Sequence, residues 1–167
     1  MLMNRTVKTG VILGLLVVAW TFIMGVTGWY KDPALLNLFW LVILIQIAVM
    51  IWGLKGTSVG ATYGSQVKSG TMMSVIGGVI IFCGSLLFTS IAFPHYFEEL
   101  RSVGEELLKS QGKTESEVKA LLDAQAPMQT SFWQALFGFI GTLVTGVIVS
   151  LIAAAFLKGK PTAETQA

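Results

Sequence analysis

Four stretches of about 20 apolar residues, none containing Asp, Glu, Lys, Arg or His, constrain this chain more than any other feature. They run from about Gly10 to Gly28, Ala34 to Leu54, Gly70 to Phe93 and Phe132 to Leu157. A bilayer core of about 30 Å is crossed by about 20 helical residues. A helix satisfies every backbone donor and acceptor internally, so it can lie in hydrocarbon without unpaired polar groups. The sequence therefore predicts an all-α fold: one membrane domain over residues 1–167, built as an integral membrane four-helix bundle with the lipid bilayer as its first partner. Composition agrees. Only 12% of residues are charged, against about a quarter in soluble domains.

The first stretch follows Arg5 and Lys8, as a signal peptide would. Its apolar run outlasts the 7–15 residues usual for a signal core, and no A-x-A-like site follows. It is expected to remain as a helix. Cys83, the single cysteine, has no partner for an intrachain disulfide and reads as a small packing residue.

Orientation follows from the basic residues. With the N-terminus inside, the inner face carries Arg5, Lys8, Lys55, Lys68, Lys158 and Lys160. The outer face carries Lys31, Arg101, Lys109, Lys113 and Lys119, four of them in one long loop. Both termini are expected in the cytoplasm. Aromatic residues mark the boundaries: Trp29 and Tyr30, Trp52, and Phe132 with Trp133.

Val7-Lys8-Thr9-Gly10 and Val67-Lys68-Ser69-Gly70 precede the first and third stretches. Leu54-Lys55-Gly56 and Leu157-Lys158-Gly159 follow the second and fourth. A parallel repeat of two hairpins would place a pseudo-twofold axis along the membrane normal. Chance is the competing explanation, since Lys and Gly flank many membrane helices.

Lipid gives helices no hydrophobic reason to associate, so close packing of small residues carries the assembly. The fourth stretch has a stripe at steps of three and four that includes Ala135, Gly138, Gly141, Thr142, Gly146, Ser150 and Ala154. Gly10 and Gly14 in the first stretch and Gly78 in the third are further packing positions. Gln46 is the most polar side chain deep in these stretches, and structural hydrogen bonding is its favoured role over substrate contact.

Residues 94–131 form the only sizeable polar segment, expected outside the cytoplasm as an amphipathic helical pair between helices 3 and 4. Pro94 and His95 open the first helix. Tyr96, Leu100, Val103 and Leu107 recur at steps of four and three and make its apolar face. Gly112 ends it. Thr114 and Glu117 form a capping box for the second helix, whose apolar face is Val118, Leu121 and Leu122. The segment holds seven acids against four cations, which disfavours anionic lipid. A lid on the bundle or a docking surface fits better.

Motifs that imitate chemistry fail on context. Gly56-Thr57-Ser58-Val59-Gly60 matches G-x-S-x-G, but that motif needs a strand-to-helix turn and a histidine base. Here it joins two membrane helices, and His95, the only histidine, is predicted at the opposite face. Gly112-Lys113-Thr114 lacks the upstream glycine of a phosphate loop, that position being Leu107. His95, Glu98 and Glu99 share one helix face and are weak metal candidates, with no second histidine to complete a zinc set. No catalytic residue and no cofactor is expected. The absence of ionisable residues in the stretches weakens a proton-coupled pump.

Met3-Asn4-Arg5-Thr6 with Gly10, Thr62-Tyr63-Gly64 with Gly70, Phe93-Pro94 before the acidic helices, and Gly146 with Ser150-Leu151-Ile152 together resemble a bacterial membrane family, the domain of unknown function 4199. The resemblance spans nearly the whole chain. It implies a four-helix membrane protein and carries no activity and no functional residues.

The expected function is that of a non-enzymatic bacterial inner-membrane protein, a scaffold or accessory subunit binding a protein partner through its outer segment. The alternative is a small oligomeric transporter or channel subunit, supported if a polar cavity reaches Gln46, Thr21 or Asn37. A membrane enzyme using His95 and the nearby acids is the third reading. Homo-oligomer formation stays open, and no nucleic-acid partner is expected.

Overall fold

The computed structural model describes residues 2–157, with side chains from Arg5 onward. Lys158, Lys160 and the end of the Leu157-Lys158-Gly159 segment lie outside the described residues. The described residues form helices joined by short turns, without strands. In chain order the helices are α1 (Leu2–Thr27), α2 (Leu41–Gly56), α3 (Tyr63–Leu87), α4 (Tyr96–Ser110), α5 (Glu115–Gln125) and α6 (Ser131–Leu157). Four candidate spans follow from length and apolarity: Arg5–Thr27, Leu36–Gly56, Tyr63–Ala92 and Ser131–Leu157.

The starts of the first three spans depart from the sequence expectation. α1 begins near the N-terminus instead of at Gly10. α3 begins at Tyr63, a full seven residues before Gly70, because Thr62 caps it by accepting from the Ser65 N–H at 3.3 Å. Gly64 therefore lies within α3. The turn between α2 and α3 is made by Gly60, whose φ of 67° is a left-handed conformation that favours glycine. A short 3-10 segment, Leu36–Trp40, leads into α2. It is held to α1 by the Trp20 indole N–H, which donates to the Leu38 carbonyl at 3.2 Å.

The four long helices pack in the ring order α1, α3, α6, α2. α1 and α3 are neighbours, so the pseudo-twofold axis expected from the repeat, which would set them diagonally opposite, is not present. The cause is the distribution of glycines. Gly10 and Gly14 bring α1 against Ile76 and Ile80 of α3, and Gly77 brings α3 against Leu13 of α1. Gly70 and Gly146 bring α3 and α6 together. α3 is drawn in between its two partners. A core of Leu13, Val17, Val42, Met50, Met73 and Ile81 fills the centre.

α4 and α5 form a hairpin between the third and fourth spans. Both elements of the capping box at Thr114 and Glu117 are made. Gly112 turns the chain at φ 80°. Val103, Val118 and Leu122 are buried, and Arg101 on α4 pairs with Asp123 on α5 at 2.6 Å. Leu121, expected on the apolar face, is exposed. Its neighbour Leu122 takes the position against Gly104 of α4, and a helix this short has only one stripe to bury.

Candidate functional site

The hairpin is tied to the bundle through one aromatic cluster. α3 ends in a π turn, Phe88–Ala92, closed by the Phe93 N–H donating to the Phe88 carbonyl at 2.8 Å. The turn places Phe88 edge-on to Tyr96 of α4, with centroids 5.3 Å apart, and Tyr96 lies 5.1 Å from Tyr30. Tyr30 donates its hydroxyl proton to Glu99, which also pairs with Lys31 at 2.8 Å. Burial, then the bond to Glu99, raises the Tyr30 pKa well above the ordinary tyrosine value. The hydrogen bonds from Lys31 and Tyr30 lower that of Glu99.

Inside the bundle, below this cluster, two adjoining chambers lie in its hairpin-side half. The upper, about 270 Å³, lies between Tyr30, Asn37 and Phe88 and is roofed by Tyr96 and Leu100 of α4. The lower, about 320 Å³, runs between α2 and α6 past Ser85, Thr142 and Thr145 to Gln46. Thr21, Phe39, Trp40 and Gln134 line both. Sites for small ligands begin at about 300 Å³. Gln46 and Thr142 lie ten and eleven residues from the hairpin-side ends of their spans, about 15 Å deep at 1.5 Å per residue, near the middle of the membrane.

Gln46 is buried at 6% exposure. Its Nε2 donates to the Thr142 hydroxyl at 3.3 Å, while Oε1 has no protein partner. A buried polar atom without a partner costs about 1–3 kcal/mol, so its retention calls for an explanation. Below Gln46 the bundle closes on Met50, Met73, Ser74 and Ser150, all fully buried. The lower chamber of this cleft thus ends at Gln46, above these buried side chains.

Most packing glycines lie in seams. An added Cβ would approach within 3 Å of a neighbour at Gly10, Gly14, Gly78 and Gly146, and within 3.2 Å at Gly138. Ser150 stands against Gly70. Gly141 is different. It is exposed, meets nothing within 4 Å and lines the lower chamber.

His95, Glu98 and Glu99 do not converge. His95 Nδ1 and Glu98 are 3.0 Å apart and both strongly exposed, while Glu99 turns inward to Tyr30 and Lys31. Among the described residues no three His, Cys, Asp or Glu side chains stand as a metal-holding group. Ser58 donates to the Lys55 carbonyl at 2.8 Å in the turn after α2, at the end of the bundle away from His95.

Sequence reasoning missed two glutamines. Gln134 lines both chambers and shares the upper one with Tyr96 of α4. Gln66, fully buried, accepts from Thr57 at 3.1 Å and donates to the Leu54 carbonyl at 3.4 Å. The signal for Gln134 was its place one step before Ala135 in the small-residue stripe of α6.

Four apolar spans capped by a polar helical hairpin define an integral membrane bundle. Residues 8–159 match the family model described as "Protein of unknown function (DUF4199)", and the chain belongs to that family. No curated protein and no solved structure matches the chain.

Proposed function

We propose that this chain is a non-enzymatic accessory or scaffold protein of the bacterial inner membrane. In this reading both termini are cytoplasmic, and the α4–α5 hairpin is held outside for a protein partner. The clamp carries the proposal: Tyr30 and Lys31, just past α1, both engage Glu99 of α4. A hairpin serving only as a linker needs no such attachment, whereas a docking element gains affinity from being held in one geometry. The excess of basic residues beside the spans at the termini end supports the orientation.

The test is purification of the full chain in mild detergent with partner and mass analysis. A co-purifying protein that is lost on deleting residues 96–126, and weakened by Glu99→Gln, is the expected result. A partner retained by both variants overturns the proposal. Orientation is checked in a Cys83→Ser background, with membrane-impermeant labelling of Ser58→Cys and Ser110→Cys; only the second should react in intact cells.

A small transporter or channel subunit is the second reading, favoured by one observation. The cleft reaches Thr21, Asn37 and Gln46. A lone species of fixed stoichiometry that passes solute in liposomes would favour it over the accessory role.

A further inference from the structure

We propose that the cleft between α2 and α6 binds a neutral amphiphile drawn from the bilayer, its chain against Phe39, Trp40 and Phe137 and its hydrogen-bonding group at Gln46. The proposal does not rest on the hairpin having a partner.

Access decides the class of ligand. α4 covers the aqueous end, with Tyr96 and Leu100 over the upper chamber. The mouth faces lipid, where Trp40 (62% exposed), Phe137 and Gly141 stand at its rim. A ligand therefore enters sideways from hydrocarbon, which selects a molecule with an apolar chain.

Charge decides the head. No Asp, Glu, Lys, Arg or His lines either chamber. An ionic group there would be desolvated without a counter-charge, a cost of several kcal/mol or more. Neutral hydrogen-bonding groups are present instead: Gln134, Thr21, Thr145 and Ser85 on the walls and the half-satisfied amide of Gln46 at the floor. Whichever way that amide is turned, Thr142 answers only one end of it, because a primary amide has both donor and acceptor. Its terminal torsion is soft, so binding turns the buried free end toward a hydroxyl or amide in the cleft. A lipid chain alone would fill the space but leave this group unanswered.

The test uses the full-length protein in phosphatidylcholine nanodiscs with a diazirine-bearing monoacylglycerol as probe. Saturable photolabelling is expected on peptides carrying Trp40 or residues 137–145. Unlabelled monoacylglycerol should compete, and lysophosphatidylglycerol of the same chain length should not. Gln46→Leu should weaken apparent affinity about fivefold, the worth of one buried hydrogen bond. Gly141→Leu should abolish labelling by filling the mouth, at a position where an added Cβ meets nothing. Labelling that rises without saturation and spreads over all lipid-facing surfaces overturns the proposal in favour of ordinary lipid solvation. Equal competition by the anionic lipid overturns the neutral head. Cross-links joining two copies through α6 overturn the site in favour of self-association.

Discussion

Ser74 on α3 stands against Gly146 on α6, and one turn further along the same seam Ser150 on α6 stands against Gly70 on α3. Each serine also donates to the carbonyl four residues back on its own helix, Ser74 to Gly70 at 2.9 Å and Ser150 to Gly146. The antiparallel helices thus exchange a small residue and a hydroxyl reciprocally. The hydroxyls are satisfied within their helices, so the contact itself is close packing of the kind that joins helices in lipid.

Gly146→Ala should therefore be costly. The new Cβ would fall 2.6 Å from the Ser74 Cβ, and relieving this moves the helices apart, at about 1–3 kcal/mol. Adding Ser74→Gly on the facing helix should recover most of that loss. Denaturation in detergent, followed by helicity across the four variants of this cycle, measures the coupling. Simple additivity would show that the two residues do not press on one another.

Gly141→Ala should do the opposite. Nothing lies within 4 Å of the added methyl, and alanine in a helix interior is favoured over glycine by up to about 1 kcal/mol. Unchanged or raised thermal stability is expected, in contrast to Gly146→Ala five residues away. A loss comparable to that of Gly146→Ala would place Gly141 in a seam after all.

The spans and the hairpin were legible because each has a local cause: hydrocarbon length for the first, and the capping pair Thr114 and Glu117 for the second. The small-residue stripe of α6 was legible too, yet it could not say which of its members face a helix. Gly138 and Gly146 do, and Gly141 does not. That depends on how the helices pack, which no local pattern encodes. The start of α3 was hidden by its polar residues, although Thr62 caps it locally. Residues 63–69 include Ser65, Gln66, Lys68 and Ser69, which read as a loop until the end of α2 supplies partners for Gln66. Gln46 was legible as polar and deep, but its free end and the cleft beside it follow from tertiary packing alone.

The hairpin attachment should depend on pH. Lys31 and Tyr30 depress the Glu99 pKa in the folded state, so the clamp is fully present above the ordinary glutamate value of 4.5. It is lost as pH falls through the lowered folded value. Tyr30 acts at the other limb. Its raised pKa keeps the donor protonated, so its contribution is complete below the ordinary value of 10.0 and declines as pH rises beyond it. Hydrogen-exchange protection of the Tyr96–Val103 amides should therefore stay level from about pH 5 to 10, within these two limits. Glu99→Gln should remove the acid limb and cost on the order of 0.5–1 kcal/mol, since the pair is partly exposed and screened. Protection that ignores both pH and the substitution would show that the aromatic contacts hold α4 alone.

Gln66 should prove the more demanding of the two buried glutamines. It links the start of α3 to the end of α2, donating to the Leu54 carbonyl and accepting from Thr57, which itself reaches Leu54 at 3.2 Å. The Leu54 carbonyl also accepts from the Thr57 N–H at 3.1 Å, so Gln66 completes a shared corner at the end of α2. Gln66→Leu keeps the volume and removes both of its hydrogen bonds from this buried corner, at about 0.5–1.5 kcal/mol each. Gln66→Glu should cost more, because a carboxylate there is desolvated and faces a carbonyl oxygen. Lys68→Ala, on the exposed face of the same turn, should be close to neutral. Gln46→Leu should also cost little stability, since it removes one long bond together with an unpartnered oxygen. A stability order with Gln46 above Gln66 would mean that the middle of the bundle, and not the junction of α2 with α3, depends on its amide.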